Sequence, residues 1–150
     1  MSSISDSHSN AKPDLTVNFT IHEINFLLAM EVCRLATSNK NTPYVTPVSY
    51  IFENGKLAFA TDYDTRKYRN IVKNKRVAIV VDTYDSSTIN RAVVIEGDAQ
   101  IVDNGAEFEG SYNKFYKKFE WVRHEPWKEG EAPFIIITPT HKMSWGIYDE

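Results

Sequence analysis

The tetrapeptide Glu53-Asn54-Gly55-Lys56 constrains this chain more than any other stretch, because it separates two β-favouring runs. A two-residue type I′ loop needs positive φ at both central positions, and Asn-Gly meets that demand at little cost. The chain must therefore double back here as two antiparallel strands. The arriving strand covers 43–52, where Val45, Thr46, Val48, Tyr50 and Ile51 suit a pleated surface. The returning strand covers 57–61. Pro43 and Pro47 lack a backbone N–H, which places an edge or an irregular segment on the arriving strand.

The flanking sequence extends this β pattern. Thr20 and Glu23 have capping-box spacing, and Ile24, Leu27 and Leu28 continue an apolar stripe, so 21–31 is predicted helical. Residues 32–38 are predicted as a strand and 39–42 as a turn. Tyr68, Ile71 and Val72 restore helical spacing over 65–74. The unbroken run Val77-Ala78-Ile79-Val80-Val81 predicts a strand over 76–82 buried on both faces. A loop follows at 85–87. A long strand over 91–103 contains Gly97, expected to form a bulge or bend. Phe108, Tyr112, Phe115, Tyr116 and Phe119 define one face of a late helix, with Trp121 expected in the core at its end. A loop over 124–132 and two short strands, 134–138 and 142–147, either side of Pro139, finish the chain. The sum is a mainly β domain with flanking helices, about six or seven antiparallel strands closing into a small barrel. A chain of 150 residues makes one domain, placed at 20–150 behind a Ser-rich flexible tail at 1–19.

Composition removes several functional classes. Cys33 is the lone cysteine, which excludes a disulfide scaffold and a thiolate zinc cluster; it reads as a small core residue. His8, His22, His124 and His141 share no metal-ligand spacing, so no metal site is expected. The chain has no apolar run near the roughly 18 residues of a membrane span and no secretory leader pattern, giving a cytoplasmic expectation with no membrane partner. A net charge of −3 argues against nucleic acid as a partner. Neither a Gly-x-Ser-x-Gly elbow nor a glycine-rich nucleotide loop is present.

The chemistry concentrates where a strand ends and a helix begins. Around that point lie the hydroxyls of Thr61 and Thr65 and the cations Arg66 and Lys67. A helix start adds unsatisfied N–H groups and a positive dipole end, and together these groups suit an anionic phosphate. Arg69 and Lys73 fall on the opposite side of the wheel from the apolar stripe and read as solvated. Lys67 sits on the flank, beside that stripe.

The order of motifs carries a resemblance: a helix, Arg34-Leu35-Ala36-Thr37, Pro43 to Val48, the Asn-Gly hairpin, Ala60-Thr61 with Thr65-Arg66-Lys67, Glu96-Gly97, and a closing segment through Trp145. The chain resembles the pyridoxamine 5′-phosphate oxidase-like flavoproteins over roughly 21–145. The resemblance implies a split β-barrel that dimerises, with FMN at the subunit interface. It would place Val45, Thr46, Pro47 and Val48 beside the flavin ring and Thr61 near the ring or ribityl chain. Thr65, Arg66 and Lys67 would hold the phosphate. Arg91 and Trp145 would approach from near the interface, out of the second subunit. The closing Thr140-His141-Lys142-Met143-Ser144-Trp145-Gly146 lacks the Arg-containing substrate grip of true pyridoxamine phosphate oxidases and looks more like the small flavin- or deazaflavin-binding relatives. The implied function is an FMN-dependent oxidoreductase acting on a small molecule. Its alternatives are a reductase using the deazaflavin coenzyme F420, or a non-catalytic flavin- or haem-binding module. No side chain stands out as a catalytic acid or base. His141 could face the flavin or be an ordinary polar residue, and Trp127 could be a lid or a core anchor.

Overall fold

The computed structural model describes residues 17–148. Helix α1 (Ile21–Ala29) leads into β1 (Val32–Asn39), β2 (Thr42–Ser49), β3 (Ile51–Glu53) and β4 (Lys56–Ala60). Then come α2 (Arg66–Lys73), β5 (Arg76–Thr83), β6 (Arg91–Val102), α3 (Gly105–Lys118), α4 (Glu120–His124) and β7 (Phe134–Trp145). The strands form one antiparallel sheet in the order β2-β1-β5-β6-β7-β4-β3, curled as a split barrel with the helices on its flanks. No helix among the described residues is long and apolar enough to cross a membrane. Residues 1–16, most of the expected tail, lie outside the described residues; Phe19, at its end, packs edge-on against Phe52 at 5.3 Å.

The local signals act as the sequence predicts. Asn54 and Gly55 take φ of 53° and 75°, closing the β3–β4 hairpin. Thr20 caps α1 with a full capping box. Pro43 and Pro47 lie on β2, the edge of the sheet, where a missing donor costs no ladder bond. Cys33 is 1% exposed in the core, and burial pushes its thiol up to about 12.

Four expectations change. The arriving strand is two strands, because Tyr50 leaves the ladder: its N–H donates to Glu31 O at 3.1 Å and its hydroxyl to Leu27 O at 2.5 Å. Lys118 fastens the same corner, donating from Nζ to Met30 O (2.6 Å) and Tyr50 O (3.0 Å). The run 77–81 is buried on one face only; Val77, Ile79 and Val81 enter the core while Ala78 and Val80 stay half-buried. The two closing strands are one, β7, with Pro139 buried inside it opposite Gly97, next to a bulge that leaves Thr140 of β7 without a partner. Pro139 thus falls where the regular β6–β7 ladder is already interrupted. Trp121 is not core but 43% exposed, because the late helix breaks at Phe119 and restarts as the one-turn α4.

Gly97 permits this register. A Cβ there would lie 2.5 Å from the Thr138 carbonyl oxygen and 2.9 Å from Ile137 Cγ2. Gly97→Ala is expected to cost about 2–3 kcal/mol, the scale of an overpacked core. A urea unfolding curve with a lowered midpoint and unchanged slope would show it; an unmoved midpoint would refute it.

Candidate functional site

The loop between β4 and α2 is held by its own hydroxyls. Thr61 is 6% exposed, and its N–H donates to Pro133 O at 3.2 Å. The Thr61 and Thr65 hydroxyls lie 2.8 Å apart. Thr65 donates to Asp62 O at 3.0 Å and accepts from the Tyr68 N–H at 3.3 Å, so it is the N-cap of α2. The N–H groups of Arg66 and Lys67, one residue inside, have no intrahelical acceptor and point out of the helix start. Asn70, buried at the centre of α2, donates to Thr37 on β1 at 3.0 Å and anchors the helix to the sheet.

The two cations flank that start differently. The Arg66 guanidinium lies 4.4 Å over the Tyr44 ring, which ties α2 to β2. Lys67 is half-buried and lines a cavity of about 410 Å³ with Thr61, Thr65, Trp121 and Trp127. The indoles of Trp121 and Trp127 stack at 6.1 Å and 12° to form its flat wall. The indole N–H of Trp127 is buried with no acceptor among the described residues. Hydroxyls, open N–H groups and Lys67, with Arg66 at the flank over Tyr44, form a donor set suited to a phosphate beside a flat aromatic wall, and Asp62, Glu125 and Glu131 line the same cavity.

Thr61, Thr65, Arg66 and Lys67 are thus brought together. Tyr44 carries the neighbouring β2 residues to the same corner. Val45, at 65% exposure, and Pro47 face solvent, Thr46 is half-buried, and the Val48 side chain enters the core. Arg91 and Trp145 are not brought there. Ala92 pairs with Trp145 at one end of the β6–β7 ribbon, whereas Val102 pairs with Phe134, and Phe134 with Ala60, at the other. Ten residue steps separate those ends, roughly 30 Å along a strand. Trp145 Nε1 donates to the Tyr84 hydroxyl at 2.8 Å, and Arg91 lines a separate cavity beside α1. Arg69 and Lys73 are exposed; the Arg69 guanidinium donates to Asp64 O at 2.5 Å. His141 is exposed on β7 opposite Glu96.

Sequence reasoning missed Glu23 as more than a cap. Its carboxylate is 3% exposed and accepts from the Thr20 N–H (2.8 Å), from Ser144 Oγ (2.6 Å) and from Lys142 Nζ. Burial pushes this carboxyl upward, but the bonds from Lys142, Ser144 and Thr20 and the charge of Lys142 outweigh it and leave the group below the ordinary glutamate range. Its only sequence signal was the Thr20–Glu23 spacing.

Comparison with known proteins is consistent with this geometry. The family model "Pyridoxamine 5′-phosphate oxidase" matches residues 22–142. A 5a,11a-dehydrotetracycline/5a,11a-dehydrooxytetracycline reductase of Streptomyces rimosus is 42% identical over 94 residues, taking in 58% of this chain and 66% of that reductase, so the match spans just under two thirds of the relative's length. A conserved hypothetical protein of Mycobacterium tuberculosis superposes with a TM-score of 0.72 at 19% identity, over 90% of this chain and 89% of the other. An FAD-binding protein of Mesorhizobium loti superposes with a TM-score of 0.67 at 21% identity, over 84% and 94%. At these identities the superpositions establish a shared fold.

Proposed function

The chain belongs to the pyridoxamine 5′-phosphate oxidase family, and from that premise we propose that it is a homodimeric, FMN-dependent oxidoreductase that reduces a conjugated small molecule. The observation that supports this most is the donor set at the start of α2, which matches a cofactor carrying a phosphate. When bound, the flavin supplies hydride transfer. The chain's part is to bind and orient. Arg66, Lys67 and the first N–H groups of α2 hold the phosphate, and the Thr61–Thr65 hydroxyl pair fixes the loop that presents them. Val45 to Val48, on the β2 edge, run beside the ring. The Trp121–Trp127 wall keeps water from the phosphate end.

The dimer is argued from distance. Arg91 and Trp145 stand roughly 30 Å along the ribbon from the α2 start of their own chain, so they reach a flavin only if it belongs to a second copy. In that arrangement each flavin is enclosed by Thr61 to Lys67 of one subunit and by the partner's Arg91 and Trp145.

A deazaflavin in place of FMN is the second reading. The reductase relative is named for a 5a,11a-dehydro substrate, and saturating one C=C bond is a two-electron hydride transfer, which a deazaflavin also performs. The visible spectrum and released cofactor of the purified protein decide between them, with its mass by light scattering. FMN absorption and a mass twice 17.2 kDa are the expected results. Uptake of deazaflavin alone would overturn the FMN assignment. A monomer with cofactor bound would overturn the shared site. A protein that holds flavin but turns over neither a nicotinamide reductant nor an acceptor would be a binding module.

A further inference from the structure

We infer that Asn104 is a site of spontaneous conversion to aspartate and isoaspartate, set up by the fold at the start of α3 and selected over the hairpin Asn54. The chain contains two Asn-Gly pairs, Asn54-Gly55 and Asn104-Gly105. A glycine has no Cβ and leaves its own backbone nitrogen unhindered. That nitrogen can close on the side-chain carbon of the asparagine before it.

The step is a hydrolysis with no redox change. The Gly105 nitrogen loses its proton and bonds to Asn104 Cγ. The Cγ–Nδ2 bond breaks, and Nδ2 leaves as ammonia after taking up a proton. Water then opens the cyclic imide. Opening at Cγ leaves aspartate. Opening at the Asn104 backbone carbonyl leaves isoaspartate, with the chain running through Cγ.

The two pairs differ in geometry. Asn54 and Gly55, with φ of 53° and 75°, are locked in a tight turn between the paired residues Glu53 and Lys56. The ladder on both sides opposes the backbone rotation that ring closure needs. Asn104 is extended (φ −159°, ψ 174°), open to water, and beyond the last ladder pair of β6, Val102 with Phe134. Its side chain makes no cap bond to α3; Nδ2 donates instead to Asp103 Oδ1 at 3.3 Å. The Gly105 N–H donates to Glu129 Oε1 at 3.2 Å. The nitrogen that must lose a proton therefore already faces a carboxylate, which stands where a general base would.

The product acts on the loop over 125–132. A new carboxylate at 104 stands beside Asp103 and repels Glu129, and isoaspartate also lengthens the backbone by a methylene. Either change weakens the Gly105–Glu129 bond that ties the loop to α3. The dipole of α3 favours the added charge, so the helix itself stays formed. The loop carries Trp127, which lines the cavity beside α2, and leads to Pro133, whose carbonyl accepts from the Thr61 N–H at 3.2 Å. Conversion at Asn104 thus loosens one wall of that cavity.

Prolonged incubation of the purified protein in mildly alkaline buffer, followed by tryptic peptide mapping with mass detection, reads both pairs, which fall in different peptides. Asn104 is expected to convert about tenfold faster than Asn54. The urea-unfolded chain should convert both at equal rates. Equal rates in the folded protein, or a faster Asn54, would overturn the assignment. Glu129→Gln keeps an acceptor for the N–H and removes the base; it is expected to slow Asn104 about tenfold with the melting temperature unchanged. An unaltered or raised rate in E129Q would refute the role of Glu129. Amide hydrogen exchange over 125–132 should quicken in the aged protein and, to a smaller extent, in Asn104→Asp, which has the charge without the added methylene. Unchanged exchange in both would refute the link to the cavity.

Discussion

Replacing Arg66 and Lys67 together with alanine is expected to weaken FMN binding about 100-fold, roughly 3 kcal/mol, the scale of two lost charge-assisted contacts. The two cations act from different positions. Lys67 lines the cavity itself, whereas Arg66 is held over Tyr44 at 4.4 Å and contributes from the β2 side. Lys67→Ala alone should therefore account for about tenfold. Lys73→Ala, an exposed cation at the far end of the same helix, should change nothing measurable. Flavin fluorescence quenching on titration into apoprotein gives all three constants, and raising the salt concentration should narrow the gap between wild type and the double variant. Equal affinity of wild type and double variant would remove the phosphate from this helix start.

The second large effect concerns folding. Glu23→Ala strips the acceptor from Lys142 Nζ, Ser144 Oγ and the Thr20 N–H at once. Breaking a buried pair costs about 3–5 kcal/mol, and the lower end applies because the Lys142 side chain keeps 23% exposure and can reach water. The pH dependence has a definite sign. The folded-state pKa of Glu23 is depressed, so its contribution is complete above the unfolded-state value and is lost as pH falls through the folded-state value. Wild-type stability should decline on acidification through that window. The alanine variant should start lower and lack this part of the decline. Chemical denaturation at neutral pH and in the carboxylate titration range measures both, and parallel curves for the two proteins would contradict the role given to Glu23.

What could be read from the sequence was whatever a few adjacent residues decide alone. Asn54-Gly55 demanded a hairpin because of backbone sterics, and Thr65 announced a helix start because a hydroxyl there satisfies an orphan N–H. The phosphate-type donor set was visible for the same reason: Thr61 to Lys67 lie within one loop and one helical turn. Features made by distant partners were not visible. Glu23 looked like a cap, since its other partners are 119 and 121 residues away. Pro139 looked like a strand break because only the register opposite Gly97 shows that it falls at a bulge. Trp121 looked like core because it was read as the end of one unbroken late helix, whereas the backbone breaks at Phe119. The distance between Arg91 and the α2 start is likewise a property of the sheet order and is absent from local sequence.

That sheet order also constrains how the chain becomes a protein. Its tight hairpins, β1–β2 and β3–β4, can form as soon as they are made. The two halves of the sheet remain separate until β7 exists, because β7 alone lies between β6 and β4. The same strand carries Lys142 and Ser144 to the first helix. During synthesis α1 and the earlier strands must therefore wait for β7. That step joins the first helix and both halves of the sheet in one event, so the domain should fold and unfold as a single unit, with no stable half.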